Sequence, residues 1–315
     1  MYYIGVDIGG TGIKAGIVDE KGNIILKNSV PTEKGIDYKG LAKSIYNLLQ
    51  TVLDDAKITQ DDIVSVGMGC PGTIDAKNGM VVYANNINLT NAPLCEELKK
   101  YIDKPIYIDN DANCAALGEF FALGDDTVSD FVAITLGTGI GGGVVINKKL
   151  YSGFKGAGAE LGHMVIEKGG EGCSCGRKGC WEAYASATAL IRETKKAADK
   201  NPASYIAKLI EENGGNANGK MVWDAKEAGD ETAQKVIDQY VENLSEGLAN
   251  IINSFRPEII AIGGGVCRQG DNLLNPLKNA LKGKIYGGDL TESSRIEIAK
   301  LGNDAGIIGA AFLGK

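Results

Sequence analysis

The opening of the chain alternates apolar and polar positions in a way that predicts three short strands. Val6 and Ile8 lead into the turn Gly9-Gly10-Thr11-Gly12, and Ile13 to Val18 lead out of it. Asp19-Glu20-Lys21-Gly22 makes a second, polar turn before Ile24-Ile25-Leu26. From residue 37 the period lengthens, and Leu41, Ile45, Leu48, Leu49 and Val52 fall on one face of a helix over 37–56. Ile63–Met68 reads as a buried strand ending in Gly69-Cys70-Pro71-Gly72. A short helix over 94–102, a strand over Pro105–Ile108 and a helix over Asp111–Leu123 follow. An antiparallel opening followed by alternating strand and helix predicts an α/β fold.

Phe131–Ile146 repeats the opening. A strand meets a glycine turn and continues as a strand, and Gly10-Thr11-Gly12-Ile13 recurs as Gly137-Thr138-Gly139-Ile140. The shared strand context points to an internal duplication. The second half is mostly helical, with helices over 182–199 and 203–212 separated by Asn201-Pro202. A long helix over 230–255 carries Ile237, Val241, Leu244, Leu248, Ile251 and Phe255 on one face. Asn213–Gly219 is an exposed loop. Strands over Ile259–Ile262 and Arg295–Ala299 and a helix over Ala305–Leu313 complete the chain. No Pro- or Ser-rich linker separates its parts, so the last helix is expected to return to the first lobe.

Composition narrows the partners. The 315 residues are 44% hydrophobic and 23% charged, as in soluble globular proteins, and the net charge of −7 opposes a phosphate-gripping nucleic-acid binder. No basic region followed by an apolar stretch opens the chain, and nowhere do 18 apolar residues run together. Neither a membrane span nor a secretion signal is therefore expected. The cytoplasm is the expected location, with the seven cysteines as thiols or metal ligands. Cys70, Cys95, Cys114 and Cys267 read as buried thiols.

Glycine is abundant, at 44 residues, and three glycine-rich turns follow strands: 9–12, 137–143 and 263–265. Successive N–H groups in such turns make nests for anions, and glycine is expected there for φ > 0 and for want of room for a Cβ. Neither the dinucleotide fingerprint nor the Walker A pattern is present. The first turn presents Asp7, placed to hold a hydrated Mg²⁺, and Lys14, which either screens phosphate charge or is a solvated surface lysine. In the repeat, Ile134 stands where Asp7 should be, so the two turns cannot do the same job. Asp109-Asn110-Asp111-Ala112-Asn113 opens a helix after a strand. One N-cap needs one such residue, and this run exceeds it. A carboxylate there suits hydrogen bonding to an acceptor hydroxyl in phosphoryl transfer.

The chain's only histidine begins the pattern His163-x9-Cys173-x-Cys175-x4-Cys180, a closed four-ligand set for a structural Zn²⁺, with Gly172, Gly176 and Gly179 loosening the loop. Glu160 and Glu182 flank the cluster. Each alone reads as a surface acid, but together they suit bidentate binding of vicinal sugar hydroxyls.

The segments DIGGTGIK (7–14), GCPG (69–72), DNDANCAALGE (109–119), LGTGIGGG (136–143), GAGAELGHMVIE (156–167), CSCGRKGCWEAYAS (173–186) and IGGGV (262–266) resemble the ROK family of sugar kinases, and within it the bacterial glucokinases. The resemblance implies an actin-like ATPase (ribonuclease H-like) fold of two α/β lobes with the active site in the cleft between them. The lobes are expected at 1–118 plus 303–315 and at 119–302. It implies MgATP-dependent phosphorylation of glucose at the 6-hydroxyl with Asp111 as general base. Asn86, Asn110, Asp111, Glu160, His163 and Glu182 would bind the sugar, His163 facing zinc with one ring nitrogen and sugar with the other. Asp7, Gly9, Gly10, Thr11 and Lys14 would serve phosphates and Mg²⁺, and Thr138, Gly139 and Gly264 the nucleotide. Leu89 departs from the tryptophan many relatives carry near that position. Other members act on N-acetylmannosamine, N-acetylglucosamine, allose or fructose, and polyphosphate stays open as an alternative donor here. Repressors of the family carry a winged helix-turn-helix before the first strand, and here a strand starts at residue 2. Homodimers are common in the family, and one is expected here.

Overall fold

The computed structural model describes all 315 residues, the side chain of Asp289 excepted. In chain order the elements are strands β1 (Tyr2–Ile8), β2 (Gly12–Asp19) and β3 (Ile24–Pro31), helix α1 (Tyr38–Ala56), strands β4 (Ile63–Cys70), β5 (Thr73–Asp75), β6 (Met80–Ala84) and β7 (Leu89–Ala92), and helix α2 (Leu94–Leu98). Strand β8 (Ile106–Asn110) runs straight into helix α3 (Asp111–Ala122), followed by β9 (Phe131–Leu136), β10 (Ile140–Ile146) and β11 (Lys149–Tyr151). Then come helices α4 (Glu182–Ala185), α5 (Ala187–Lys200), α6 (Tyr205–Glu212), α7 (Met221–Glu227) and α8 (Glu231–Phe255). Strand β12 (Ile259–Gly264), helix α9 (Asp271–Ala280), strand β13 (Arg295–Ile298) and helix α10 (Ala305–Ala311) close the chain.

Two five-stranded sheets follow one plan, with orders β3-β2-β1-β4-β8 and β11-β10-β9-β12-β13. A small third sheet runs β5-β6-β7. In the first, β1 and β2 form the hairpin around Gly9–Thr11, while β4 and β8 run parallel to β1. The second repeats this with β10 and β11 antiparallel and β12 and β13 parallel.

The chain divides into two compact units: Met1–Ala133, Gly143–Ala159 and Lys300–Lys315 form the first, and Ile134–Gly142 with Glu160–Ala299 the second. This differs from lobes expected at 1–118 plus 303–315 and at 119–302. Helix α3 runs unbroken past residue 118, Phe120 packs on Phe131 with ring centroids 5.8 Å apart, and Gly143 lies against Ala112 and Ala116. Those contacts hold 119–133 and 143–159 in the first unit.

Strand alternation sorts the first unit's core onto two faces. Ile4, Val6 and Ile8 of β1 and Ile13, Ala15 and Ile17 of β2 meet seven buried side chains of α1, Leu41 through Leu53. Burying each large aliphatic side chain there contributes about 1.5–3 kcal/mol. Asp37 caps α1 by accepting from Gly40 N at 2.7 Å. The opposite face, Tyr3 and Val18, meets Ile307, Ile308, Ala311 and Phe312 at the C-terminus. In the second unit α8 is capped by Asp230, and its apolar face is buried from Ala233 to Ile252; Phe255, expected on that face, is exposed. The helix expected over 182–199 is two, because Ser186 is extended and caps α5 by accepting from Ala189 N at 3.1 Å. Cys70, Cys95, Cys114 and Cys267 are buried free thiols, and burial pushes the first, second and fourth up to about 12.

Candidate active site

In the first unit the candidate side chains sit at the carboxyl ends of parallel strands, where open α/β sheets present their ligand sites. Asp7 of β1 is in register with Gly69 of β4, and Gly69 with Asp109 of β8. A Cβ on Gly69 would lie 3.3 Å from Cys114 Cβ and 3.6 Å from Asp111 Cα, so glycine lets the start of α3 approach the sheet.

The first glycine turn is closed by the Gly9 N–H donating to Gly12 O at 2.9 Å and braced by Thr32, whose Oγ1 donates to Gly9 O at 2.7 Å. Thr32 carried no local signal, since its partner lies 23 residues upstream. Gly10 lies against Asn86 O, which brings that exposed asparagine to the turn. None of Gly9, Gly10, Gly12, Gly137 and Gly139 has positive φ; of the eleven glycines in the three turns only Gly264 does, at 101°. The expectation that φ > 0 demands these glycines therefore fails for the first two turns; a Cβ would meet a close neighbour at Gly9, Gly10, Gly139, Gly142 and Gly143, whereas Gly137 has open space around it. Leu89, at 5% exposure, packs into the α1 core.

Asp7 and Lys14 face each other across the hairpin, with Lys14 Nζ donating to Asp7 Oδ2 at 2.9 Å. A single, partly exposed carboxylate beside the first glycine turn fits Mg²⁺, which keeps most of its waters and takes one or two protein carboxylates. Asn110 is the N-cap of α3: its Oδ1 accepts from Ala112 N at 2.8 Å and Asn113 N at 3.3 Å, and its Nδ2 donates to Gly72 O at 3.0 Å. Asp111 is the first helical residue, half-buried, with Oδ1 accepting from Ala112 N at 2.9 Å. Behind it Asp109 is buried, and burial pushes its carboxyl up from the ordinary aspartate range.

In the second unit His163, Cys173, Cys175 and Cys180 converge, with all four candidate ligand atoms within 4.8 Å of one another. Cys173 Sγ is 3.6 Å from His163 Nδ1, and Cys175 Sγ is 3.7 Å from Cys180 Sγ. Tetrahedral zinc with bonds of about 2.3 Å to sulfur and 2.0 Å to nitrogen sets its ligands about 3.5–3.8 Å apart, so the residues fit the ion. The knuckle is shaped by Gly176 and Gly179, both at φ 87°, while Gly172 needs no special conformation. A Cβ on Gly179 would fall 1.8 Å from Glu167 O. Trp181, fully buried, anchors the loop by donating from Nε1 to Asn243 O at 2.9 Å and stacking its ring on Gly247.

Glu182 connects this cluster to the second glycine turn. Its Oε1 accepts from Cys173 Sγ at 3.0 Å and Ser174 Oγ at 3.3 Å, and its Oε2 accepts from Ile140 N at 3.4 Å. A Cβ on Gly139 would lie 2.3 Å from Glu182 Oε2, so that carboxylate would have to shift to admit it. Thr138 is exposed at the tip of that turn, and Gly264 packs on Leu136 O. Glu160 is exposed and starts the short turn that ends at His163, whose N–H donates to Glu160 O at 3.0 Å.

Residues 3–315 match the ROK family. The chain is 37% identical over 315 residues to a glucokinase of Halalkalibacterium halodurans, spanning 100% of this chain and 95% of that one. It is 38% identical over 311 residues to a glucokinase of Thermotoga maritima, covering 98% and 96%. Among solved structures it is similar to a ROK family glucokinase from Streptomyces griseus in complex with glucose and AMPPNP, with TM-score 0.81, 35% identity and 99% of each chain covered.

Proposed function

The chain belongs to the ROK family, and on that premise we propose that it is an ATP-dependent hexose kinase that phosphorylates glucose at the 6-hydroxyl. Its fold is that of the actin-like ATPases. The observation that carries the choice of glucose is the full-length similarity to a ROK glucokinase solved with glucose and a non-hydrolysable ATP analogue.

Phosphoryl transfer asks the protein mainly to position groups and stabilise charge. Asp111 is the general base: held at the first turn of α3, it takes the proton of the 6-hydroxyl as that oxygen attacks the γ-phosphorus of ATP. Asn110 contributes through the Nδ2 now bonded to Gly72 O, since its Oδ1 is committed to the helix cap. Glu160, His163 and Glu182 bind further sugar hydroxyls, with Asn86 beside the first turn as another contact. His163 turns Nδ1 to the cysteine cluster, which leaves Nε2 for sugar. Thr138, Gly139 and Gly264 serve the nucleotide, and Gly9, Gly10 and Thr11 the phosphates. Lys14 leaves Asp7 to meet phosphate charge when MgATP enters. Mg²⁺ bound near Asp7 would neutralise charge on the phosphates, and Zn²⁺ held by His163, Cys173, Cys175 and Cys180 would be structural.

Among the described residues no helix is long and apolar enough to cross a membrane. We assign the reaction to the cytoplasm, in keeping with seven free thiols, and the assembly to a homodimer by analogy with the family. The test is ADP release with MgATP against glucose, mannose, fructose, allose, N-acetylglucosamine and N-acetylmannosamine. Glucose should give the highest kcat/KM. A different best sugar would sink the glucose assignment and keep the kinase; no ADP release with any of them, together with no sugar phosphate formed from polyphosphate as donor, would sink the kinase.

A further inference from the structure

Asp109 is a buried carboxylate that phosphoryl transfer as described does not use. It is 7% exposed, and its surroundings raise its affinity for a proton, so burying it costs stability at neutral pH. Helix α3 does not need it as a cap, because Asn110 already satisfies the N–H groups of Ala112 and Asn113. What Asp109 does instead is tie segments together. Its Oδ1 accepts from Asn110 N at 2.7 Å and from Asn113 Nδ2 at 2.8 Å, and Asn113 is itself 3% exposed. Its Oδ2 accepts from Ser152 Oγ at 3.4 Å. Ser152 belongs to the loop closed by Gly158 N donating to Ser152 O at 2.8 Å, the loop that leads in sequence to Glu160.

We propose that Asp109 is a positioning residue for the phosphoryl transfer: it fixes the first turn of α3, and with it the direction of the Asp111 carboxylate, and fastens the 152–158 loop to that turn. The proposal rests on the reading of Asp111 as the base. Asp111 lies between the two residues, Asn110 and Asn113, that donate to Asp109 Oδ1. Freeing Asn113 would let the first turn rotate, and small misplacements of a base cost rate steeply. Binding of ATP, assigned to other turns, should not notice.

The experiment compares Asp109→Ala, Asp109→Asn and Asp111→Asn in the full chain by kcat, KM for glucose and KM for ATP, with urea unfolding as a check on folding. Asp109→Ala should lower kcat about tenfold or more while KM for ATP stays within about twofold. Asp109→Asn keeps an oxygen for both N–H donors and should recover kcat to within about threefold of wild type. A folded Asp109→Ala enzyme with kcat within about twofold of wild type overturns the proposal, because the tie then has only a structural role. An Asp109→Asn enzyme as slow as Asp109→Ala also overturns it, because charge would then matter and not position. If Asp109→Ala does not fold, Asn113→Ala removes the same bond from the helix side and is judged by the same criterion. Asp111→Asn separates the two readings: its retaining wild-type turnover would remove the base assignment, whereas an inactive Asp111→Asn beside a fully active Asp109→Ala would remove only the positioning role.

Discussion

Single side chains in this protein are explained less by their own type than by what reaches them. Asn110 and Asp109 sit in a run of acids and amides whose excess over one cap was legible in the sequence. Which of them caps, which is buried and which faces outward was not, because that depends on Gly72, Asn113 and Ser152, up to 43 residues away. The Asp109 carboxyl makes a prediction about stability. Its folded pKa is raised, chiefly by burial, so the folded state holds this proton to higher pH than the unfolded state does. The contribution to stability is therefore full below the unfolded value, near 3.8, and is lost as pH rises through the folded value. Asp109→Asn lacks this dependence. Urea unfolding at pH 7 and at pH 4.5 should show the variant gaining on wild type at pH 7 relative to pH 4.5. An equal difference at both pH values would mean that Asp109 titrates normally in the folded protein.

At the level of elements, the strongly periodic ones were readable: β2, α1, α3 and α8 lie within a residue or two of where the pattern put them, and β3 starts at Ile24 as read but runs on to Pro31. The small sheet β5-β6-β7 was not, because its strands are three to five residues long and their burial does not alternate cleanly. Helix α9 was hidden by Pro276 inside it. The cysteine-histidine loop was legible from ligand spacing alone, and its contact with the second glycine turn through Glu182 was not. That contact makes the two elements interdependent. In Gly139→Ala the new methyl falls on Glu182 Oε2, whose partner oxygen is held by Cys173 and Ser174. Displacing it should raise KM for glucose about tenfold, the scale of one lost charge-assisted hydrogen bond, although the substitution lies in a turn assigned to nucleotide. A rise confined to KM for ATP would show that Glu182 gives way without cost. Loss of one ligand in Cys175→Ser should leave well under half of the bound zinc by elemental analysis, and lower the unfolding temperature by several degrees. Unchanged zinc and unchanged Tm together would show that the four residues do not form the site.

Across the molecule, duplication explains both what the sequence revealed and what it concealed. The repeated Gly-Thr-Gly-Ile exposed the relation between the two hairpins, and the matching order of the two five-stranded sheets extends it to whole sheets. The copies have diverged where chemistry differs: Asp7 is partly exposed and ion-paired, whereas Ile134 in the repeat is buried. The return of the C-terminus to the first unit was foreseeable from the missing linker, but the closeness of its packing was not. Helix α10 lies between the first sheet and α3, and glycines on every side admit it. A Cβ on Gly67 would stand 1.7 Å from Ala310 O, one on Gly5 1.8 Å from Ile307 O, and one on Gly309 1.6 Å from Cys114 O. These are backbone atoms, so no side-chain rotation relieves the clash, and the helix as a whole must move. Because α10 packs on the sheet and on α3 together, such a shift also disturbs the start of α3, where Asp111 lies. Gly67→Ala should therefore cost about 3 kcal/mol or more in urea unfolding and lower kcat as well, whereas Gly219→Ala, with open space around it and ordinary φ, should change neither. A Gly67→Ala protein with the wild-type urea midpoint would mean that α10 is not seated against the sheet as described. Lost stability with wild-type kcat would mean that the helix supports the fold without setting the position of Asp111, the proposed base.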